Sequence, residues 1–245
     1  MNVTGIILAG GRGERLKTVT HDKTLLRIGA GGLISWSVST FAQSGLFSDL
    51  IIVYRDNEQK TRLQEELNAQ VKNPLLRTWV QGGAKRQDSV LQALEAVREE
   101  TDYVFIHDGA RPFITVNDLK NLLAAVETTG ASSLARPVTD TIKRANKTGT
   151  QQDLQLIDLQ RDLLYAMETP QVFRFTEIRD AYRAVREEGL TVTDCVAAYN
   201  HRPRPVTLVS SEQNNLKITN PADVEIANFL IHTGSIKKVF ELAYQ

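Results

Sequence analysis

Short apolar, β-branched runs alternate along the chain with longer segments in which apolar residues recur every three or four positions. The runs Val3–Ala9, Leu50–Tyr54, Leu75–Val80, Tyr103–His107 and Ser132–Arg136 are continuous enough to predict mostly buried strands. Between them, Leu33–Gln43, Glu58–Ala69, Ser89–Glu100 and Val116–Thr128 have helical spacing, with Thr115 or Asn117 available to cap the last. Such alternation predicts an α/β fold in which a predominantly parallel sheet is flanked by helices.

The alternation breaks at residues 138–160. There the polar, turn-rich stretch 143–150 separates two extended pieces and predicts a projecting β-hairpin arm. An arm that leaves a compact body buries its apolar positions elsewhere, so a homodimer is expected. Beyond it, helices are predicted at Arg161–Met167, Thr176–Glu188 and Pro221–Thr233, with a short terminal helix at Ser235–Tyr244. Pro221 fits the first turn of a helix capped by Asn220. No linker rich in Gly, Ser or Pro divides the 245 residues, which therefore form a single domain, 1–245, with the arm at about 138–160.

Charge narrows the partners. Twenty-nine basic and 29 acidic residues cancel, which removes the global cationic field that nucleic-acid binding draws on, so any anion must be held locally. Apolar runs are strand-sized, which argues against a membrane partner. The N-terminus carries no leader pattern, so a cytoplasmic location is expected. The single cysteine, Cys195, excludes an intrachain disulfide and reads as a small, half-buried residue. His21, His107, His201 and His232 lack metal-ligand spacing.

Candidate chemistry follows the first strand. In Gly10-Gly11-Arg12-Gly13-Glu14-Arg15-Leu16 the glycines let the backbone turn and present N–H groups to an anion, while Arg12, Arg15, Lys17 and Lys23 add positive charge. The segment lacks the Gly-Lys-Ser/Thr ending of a P-loop, and it lacks the third glycine of a dinucleotide fingerprint. On composition it is either an anion-binding turn or a Gly-rich strand end with solvated arginines.

The run Leu8–Leu16 followed by Lys23 resembles the nucleotidyltransferase signature L-A-G-G-x-G-x-R-L…P-K. Asp22 stands where that signature has proline, and one extra residue separates Arg15 from Lys23. Five further segments occur in matching order: Gly82–Val90, Ile106–Phe113, Pro137–Lys143, Thr169–Phe173 with Val192-Thr193-Asp194, and Asn215–Thr219. Together they resemble the 2-C-methyl-D-erythritol 4-phosphate cytidylyltransferase family. Ala84, Gly109 and Cys195 depart from its pattern.

The resemblance implies a Rossmann-like fold, CTP and a phosphorylated polyol as substrates, Mg²⁺ or another hard divalent cation, and a dimer built through the arm. It implies that Ala9, Gly10, Gly11 and Gly13 cradle the triphosphate, with Arg15, Lys23 and Lys217 as catalytic cations. Gly82, Gly83, Arg86 and Ser89 would enclose the cytosine. Asp108 would lie in the substrate pocket and serve as the metal ligand. Arg111, Thr141 and Thr169 would hold the acceptor, with Arg161 reaching it from the neighbouring subunit.

Each position also has a purely structural use. Ser89 suits a helix cap, Asp108 a turn, Lys217 an edge strand and Arg161 a solvated surface. Two other readings fit the same motifs: a ribitol 5-phosphate cytidylyltransferase and an inactive nucleotide-binding module.

Overall fold

Successive side chains of a strand point to opposite faces, so the adjacent Ile6 and Ile7 commit the first strand to two hydrophobic layers. Both are fully buried, in two different core clusters. In the computed structural model the described residues are 1–245 except 12, 14, 15, 17–21, 73, 74, 76, 147–153, 212 and 237–245. The order is β1 (Val3–Leu8), β2 (Arg27–Ile28), β3 (Gly31–Gly32), α1 (Leu33–Gln43), β4 (Asp49–Tyr54), α2 (Asn57–Gln70), β5 (Arg77–Gln81), α3 (Arg86–Glu95) and β6 (Tyr103–Asp108). It continues with α4 (Val116–Thr129), β7 (Ala131–Pro137), β8 (Lys143–Asn146), β9 (Gln155–Asp158), β10 (Tyr165–Arg174), α5 (Phe175–Glu187), α6 (Cys195–Tyr199), β11 (Thr207–Val209) and α7 (Pro221–His232).

Seven strands form one sheet in the order β11-β7-β10-β6-β1-β4-β5. β1 runs parallel to both β4 and β6, and β4 runs parallel to β5, so the carboxyl ends of β1, β4 and β6 open on one edge. On one face Ile7, Ile52 and Phe105 meet Val38 and Phe41 of α1, Leu63 and Leu67 of α2, and Leu122 of α4. On the other, Ile6, Ile51 and Ile106 meet Val90 and Leu94 of α3, with Ile178 and Tyr182 of α5. Full burial of each such side chain contributes roughly 1.5–3 kcal/mol, which is why both layers form around one sheet. A third cluster, Leu26, Ile28, Trp36, Phe113, Ile218 and Ile231, seats α7 near the site edge.

Several expectations are corrected. The helix predicted over Arg161–Met167 is a single 3-10 turn, Arg161–Leu163, after which the chain enters β10. β10 lies between β7 and β6, antiparallel to both, so its hydrogen bonds come from distant strands that local spacing does not register. α3 spans Arg86–Glu95 rather than Ser89–Glu100, which puts Ser89 inside the first turns rather than at the cap. Cys195 is fully buried rather than half-buried. Of the two caps expected for α4, Thr115 is the one used: its hydroxyl accepts from Asp118 N while the Asp118 carboxylate accepts from Thr115 N. The terminal helix expected at Ser235–Tyr244 falls mostly outside the described residues.

Lys143–Asn146 and Gln155–Asp158 pair antiparallel, Lys143 opposite Asp158 and Asn146 opposite Gln155, in a two-stranded sheet separate from the main one. Ile142, Leu156, Leu163 and Tyr165 on or beside it are exposed. No helix among the described residues is long and apolar enough to cross a membrane.

Candidate active site

A cavity of about 900 Å³ lies at the sheet edge where β1, β4 and β6 end. Such edges collect ligands because neighbouring strand ends diverge into loops and helix N-termini. Gly10, Gly11 and Gly13 line it on one side, Gly83, Arg86 and Ser89 on another, and Asp108, Lys23 and Lys217 complete it. These segments are far apart in the chain, and the parallel strands bring them together.

Asp108, the last residue of β6, is 13 % exposed. Its Oδ1 accepts from Arg86 Nη2 at 3.0 Å and Nε at 3.3 Å, and its Oδ2 accepts from Lys217 Nζ at 2.6 Å. Burial by itself would push this carboxyl up, but the Arg86 and Lys217 charges override it and hold the group well below the usual carboxylate range. The trio therefore keeps a net positive charge with its members already oriented.

Beneath Asp108 lies a buried relay. The Asp108 N–H donates to Thr169 Oγ1 at 3.0 Å, and that hydroxyl lies 3.2 Å from His107 Nδ1. His107 Nε2 is 3.0 Å from the Arg111 carbonyl. A carbonyl only accepts, so the neutral ring carries its proton on Nε2, and Nδ1 accepts the Thr169 hydroxyl. Burial pushes the His107 imidazole down to about 4. Thr169, expected at the acceptor, is buried and spends its hydroxyl on positioning Asp108. Arg111 donates through Nη1 to the Asn215 carbonyl at 2.7 Å. That bond ties the loop after β6 to the Lys217 segment, as does Ile218 N donating to Ala110 O at 2.9 Å.

The Gly82–Ser89 loop is closed on itself. Gly83 N donates to Ser89 Oγ at 3.1 Å, and Lys85 N donates to Asp88 Oδ2 at 3.0 Å. A Cβ on Gly82 would come within 2.7 Å of Ser89 Oγ, and one on Gly83 within 2.5 Å of Asp88 Cβ, so a side chain at either would open the loop. Ser89 thus has a place in the site and a structural use together: it faces the cavity and it braces the loop.

Other expected residues fall elsewhere. Ala9 is buried behind the cavity, with its carbonyl accepting from Gln59 Nε2 at 2.9 Å. Thr141 is exposed beside the arm, and Arg161 donates to the Thr139 carbonyl and is 55 % exposed; neither lines the cavity. Asp194 caps α6 through Ala197 N and accepts from Gln171 Nε2, so its carboxylate is committed to structure. Arg15, Arg12 and Lys17 lie outside the described residues. Arg55 and Thr219 also line the cavity, although neither carries an expected role. Arg55 follows β4 at the ligand-bearing sheet edge, which is the signal that would have found it.

Among the described residues no group of three or more His, Cys, Asp or Glu could hold a metal by itself. Mg²⁺ takes one or two carboxylates and completes its octahedron with substrate phosphates and water. Asp108 is the carboxylate that lines the cavity, with its two oxygens accepting from Arg86 and Lys217.

A family model described as 2-C-methyl-D-erythritol 4-phosphate cytidylyltransferase (IspD) matches residues 3–233. The chain belongs to this family. A relative of that name from Geobacillus kaustophilus is 33% identical over 231 residues, covering 94% of this chain and 97% of the relative. One from Pelotomaculum thermopropionicum is 33% identical over 229 residues, covering 94% of each. The crystal structure of the Thermus thermophilus enzyme of that name superposes with a TM-score of 0.73 at 26% identity, covering 95% of this chain and 100% of that one. The Anaerococcus prevotii 4-diphosphocytidyl-2C-methyl-D-erythritol synthase structure gives 0.80 at 24% identity, covering 94% and 98%, and shows the shared fold. Family membership favours the methylerythritol reading over the ribitol and inactive-module alternatives.

Proposed function

We propose that the chain transfers CMP from CTP to 2-C-methyl-D-erythritol 4-phosphate, releasing pyrophosphate and forming 4-diphosphocytidyl-2-C-methyl-D-erythritol. The observation that carries this reading is Asp108 clasped by Arg86 and Lys217 at a sheet-edge cavity faced by the glycine loop, in a chain of this family. A phosphate oxygen of the acceptor attacks the α-phosphorus of CTP, the new P–O bond forms as the α–β anhydride breaks, and the pair of electrons leaves with pyrophosphate. No covalent enzyme intermediate is required. The protein's part is alignment and charge stabilisation.

In this reading the Gly10–Gly13 backbone, Arg15 and Lys23 hold the β- and γ-phosphates, and Lys217 stabilises charge developing at the α-phosphate. Gly82, Gly83 and Ser89 edge a slot for the pyrimidine. Asp108 would hold Mg²⁺, which supplies charge neutralisation on the phosphate oxygens when bound. Arg111 holds the loop against Lys217, and Thr169 holds Asp108 in place. Thr141 and Arg161, which do not line this chain's own cavity, would act on the acceptor in a second subunit. The exposed Leu156, Leu163 and Tyr165 give that homodimer its apolar contact. A cytoplasmic setting accompanies this role.

The test is pyrophosphate release by the purified chain with CTP, Mg²⁺ and each acceptor. Turnover with methylerythritol phosphate is expected, while turnover with ribitol 5-phosphate alone would reassign the acceptor. CTP binding by calorimetry without turnover on either acceptor would identify an inactive module.

A further inference from the structure

Asp22 immediately precedes Lys23 and is fully buried although it carries a carboxylate. Its Oδ1 accepts from Thr24 N at 3.2 Å and Thr24 Oγ1 at 2.9 Å, which caps the 3-10 turn Lys23–Leu25. Its Oδ2 faces Arg55 Nη2 at 3.5 Å. Arg55 in turn donates through Nε to Asp56 Oδ2 at 2.7 Å, and the Asp56 Oδ1 caps α2 by accepting from Gln59 N at 2.8 Å. The buried Gln59 side chain accepts from Arg55 N at 2.6 Å and donates to Ala9 O at 2.9 Å. A continuous run of polar contacts therefore links the Lys23 turn to the point where the glycine loop leaves β1.

The geometry makes this run a support for Lys23. Asp22 has φ −146°, a value closed to proline, whose ring fixes φ near about −65°. The turn is therefore shaped by the carboxylate cap and not by ring rigidity. A buried carboxylate is sustained by a facing cation, and Arg55 provides one. Gly13 at φ +66° rests against Lys23, with a Cβ there only 2.8 Å from Lys23 Cβ. Lys23 thus adjoins both the glycine loop and the turn that the Asp22–Arg55 contact anchors.

We infer that Asp22 and Arg55 form a coupled positioning pair that sets the Lys23 ammonium at the cavity lip for the distal phosphates of a nucleoside triphosphate. This rests on the proposed reading of Lys23 as a triphosphate ligand. Neither residue need touch the nucleotide. Arg55 does line the cavity, and its Nη1 is buried with no hydrogen-bond partner, so direct contact by Arg55 is the rival outcome.

The experiment uses the full chain with Asp22→Asn, Arg55→Gln and the double variant, titrated by calorimetry with CTP, CMP and inorganic pyrophosphate, alongside kcat and both KM values. Each single variant is expected to weaken CTP and pyrophosphate binding roughly tenfold with CMP unchanged, and the double variant to be no worse than the weaker single within about twofold. The acceptor KM should stay at its wild-type value. Additive losses, equal loss of CMP binding, or wild-type behaviour in either single variant would overturn the pair. A loss in Arg55→Gln far exceeding that in Asp22→Asn would make Arg55 a direct ligand instead. Should Asp22→Asn fail to fold, Arg55→Lys, which keeps the charge but loses the fork, carries the same comparison through its pyrophosphate and CMP affinities. A wild-type chain that binds no CTP brings down the functional reading, whereas an active wild type with uncoupled variants brings down only the pair.

Discussion

The sheet edge and the arm carry similar residues and treat them in opposite ways. At the edge, Arg86 and Lys217 both bond Asp108, whose carboxylate is almost wholly withdrawn from water. On and beside the arm, Thr141 and Arg161 stand exposed, and the nearby Leu156 and Leu163 face outward instead of into a layer of the kind that covers the main sheet. Charges fixed by burial and mutual pairing are ready for a ligand without further ordering. Solvated ones gain a role only when another surface fixes them. The contrast teaches that this chain's own fold presets Arg86, Asp108 and Lys217 at the cavity and leaves Thr141 and Arg161 exposed outside it.

The edge can be broken most severely at its centre. Asp108→Ala leaves two facing cations without their shared carboxylate, and we expect a loss of roughly a thousandfold in kcat, measured by pyrophosphate release on a variant whose circular dichroism matches the wild type. Lys217→Ala should cost roughly 10²- to 10³-fold in kcat with little change in CTP affinity, since its role is stronger in the transition state.

The relay beneath the edge makes stability depend on pH. His107 is held neutral in the folded state at about 4, below the unfolded value of about 6.5. The unfolded chain therefore binds the extra proton first as pH falls, so the His107 contribution is intact above about pH 6.5 and declines toward pH 4. Urea unfolding should show a loss of about 2 kcal/mol between pH 6.5 and 4.5 that His107→Gln removes. A slope unchanged by that variant would take His107 out of the account.

The arm sharpens the comparison with smaller effects. Arg161→Ala should raise the acceptor KM by about tenfold while CTP affinity holds. Leu156→Ser with Leu163→Ser should shift light scattering toward monomer and raise the same KM. Lys143 and Arg144 are exposed on β8, Lys143 paired there with Asp158, and replacing both by Ala should change activity by less than about twofold, as for surface charges and exposed ion pairs.

What the sequence determined by itself was local and periodic. The buried runs of β1, β4 and β6, the helices α1, α2, α4, α5 and α7, and the glycine loop with its anion-binding character are written in spacing and residue type, because burial on both faces demands unbroken apolar strands. Motif order then fixed the family. Only the tertiary structure decided β10, whose partners are distant strands, the early start of α3, and the internal use of the Thr169 hydroxyl. It also decided that Asp22 is a buried cap tied to Arg55, a pairing across more than thirty positions that no local pattern encodes. Side chains that bond across the fold take their roles from neighbours that only folding brings near.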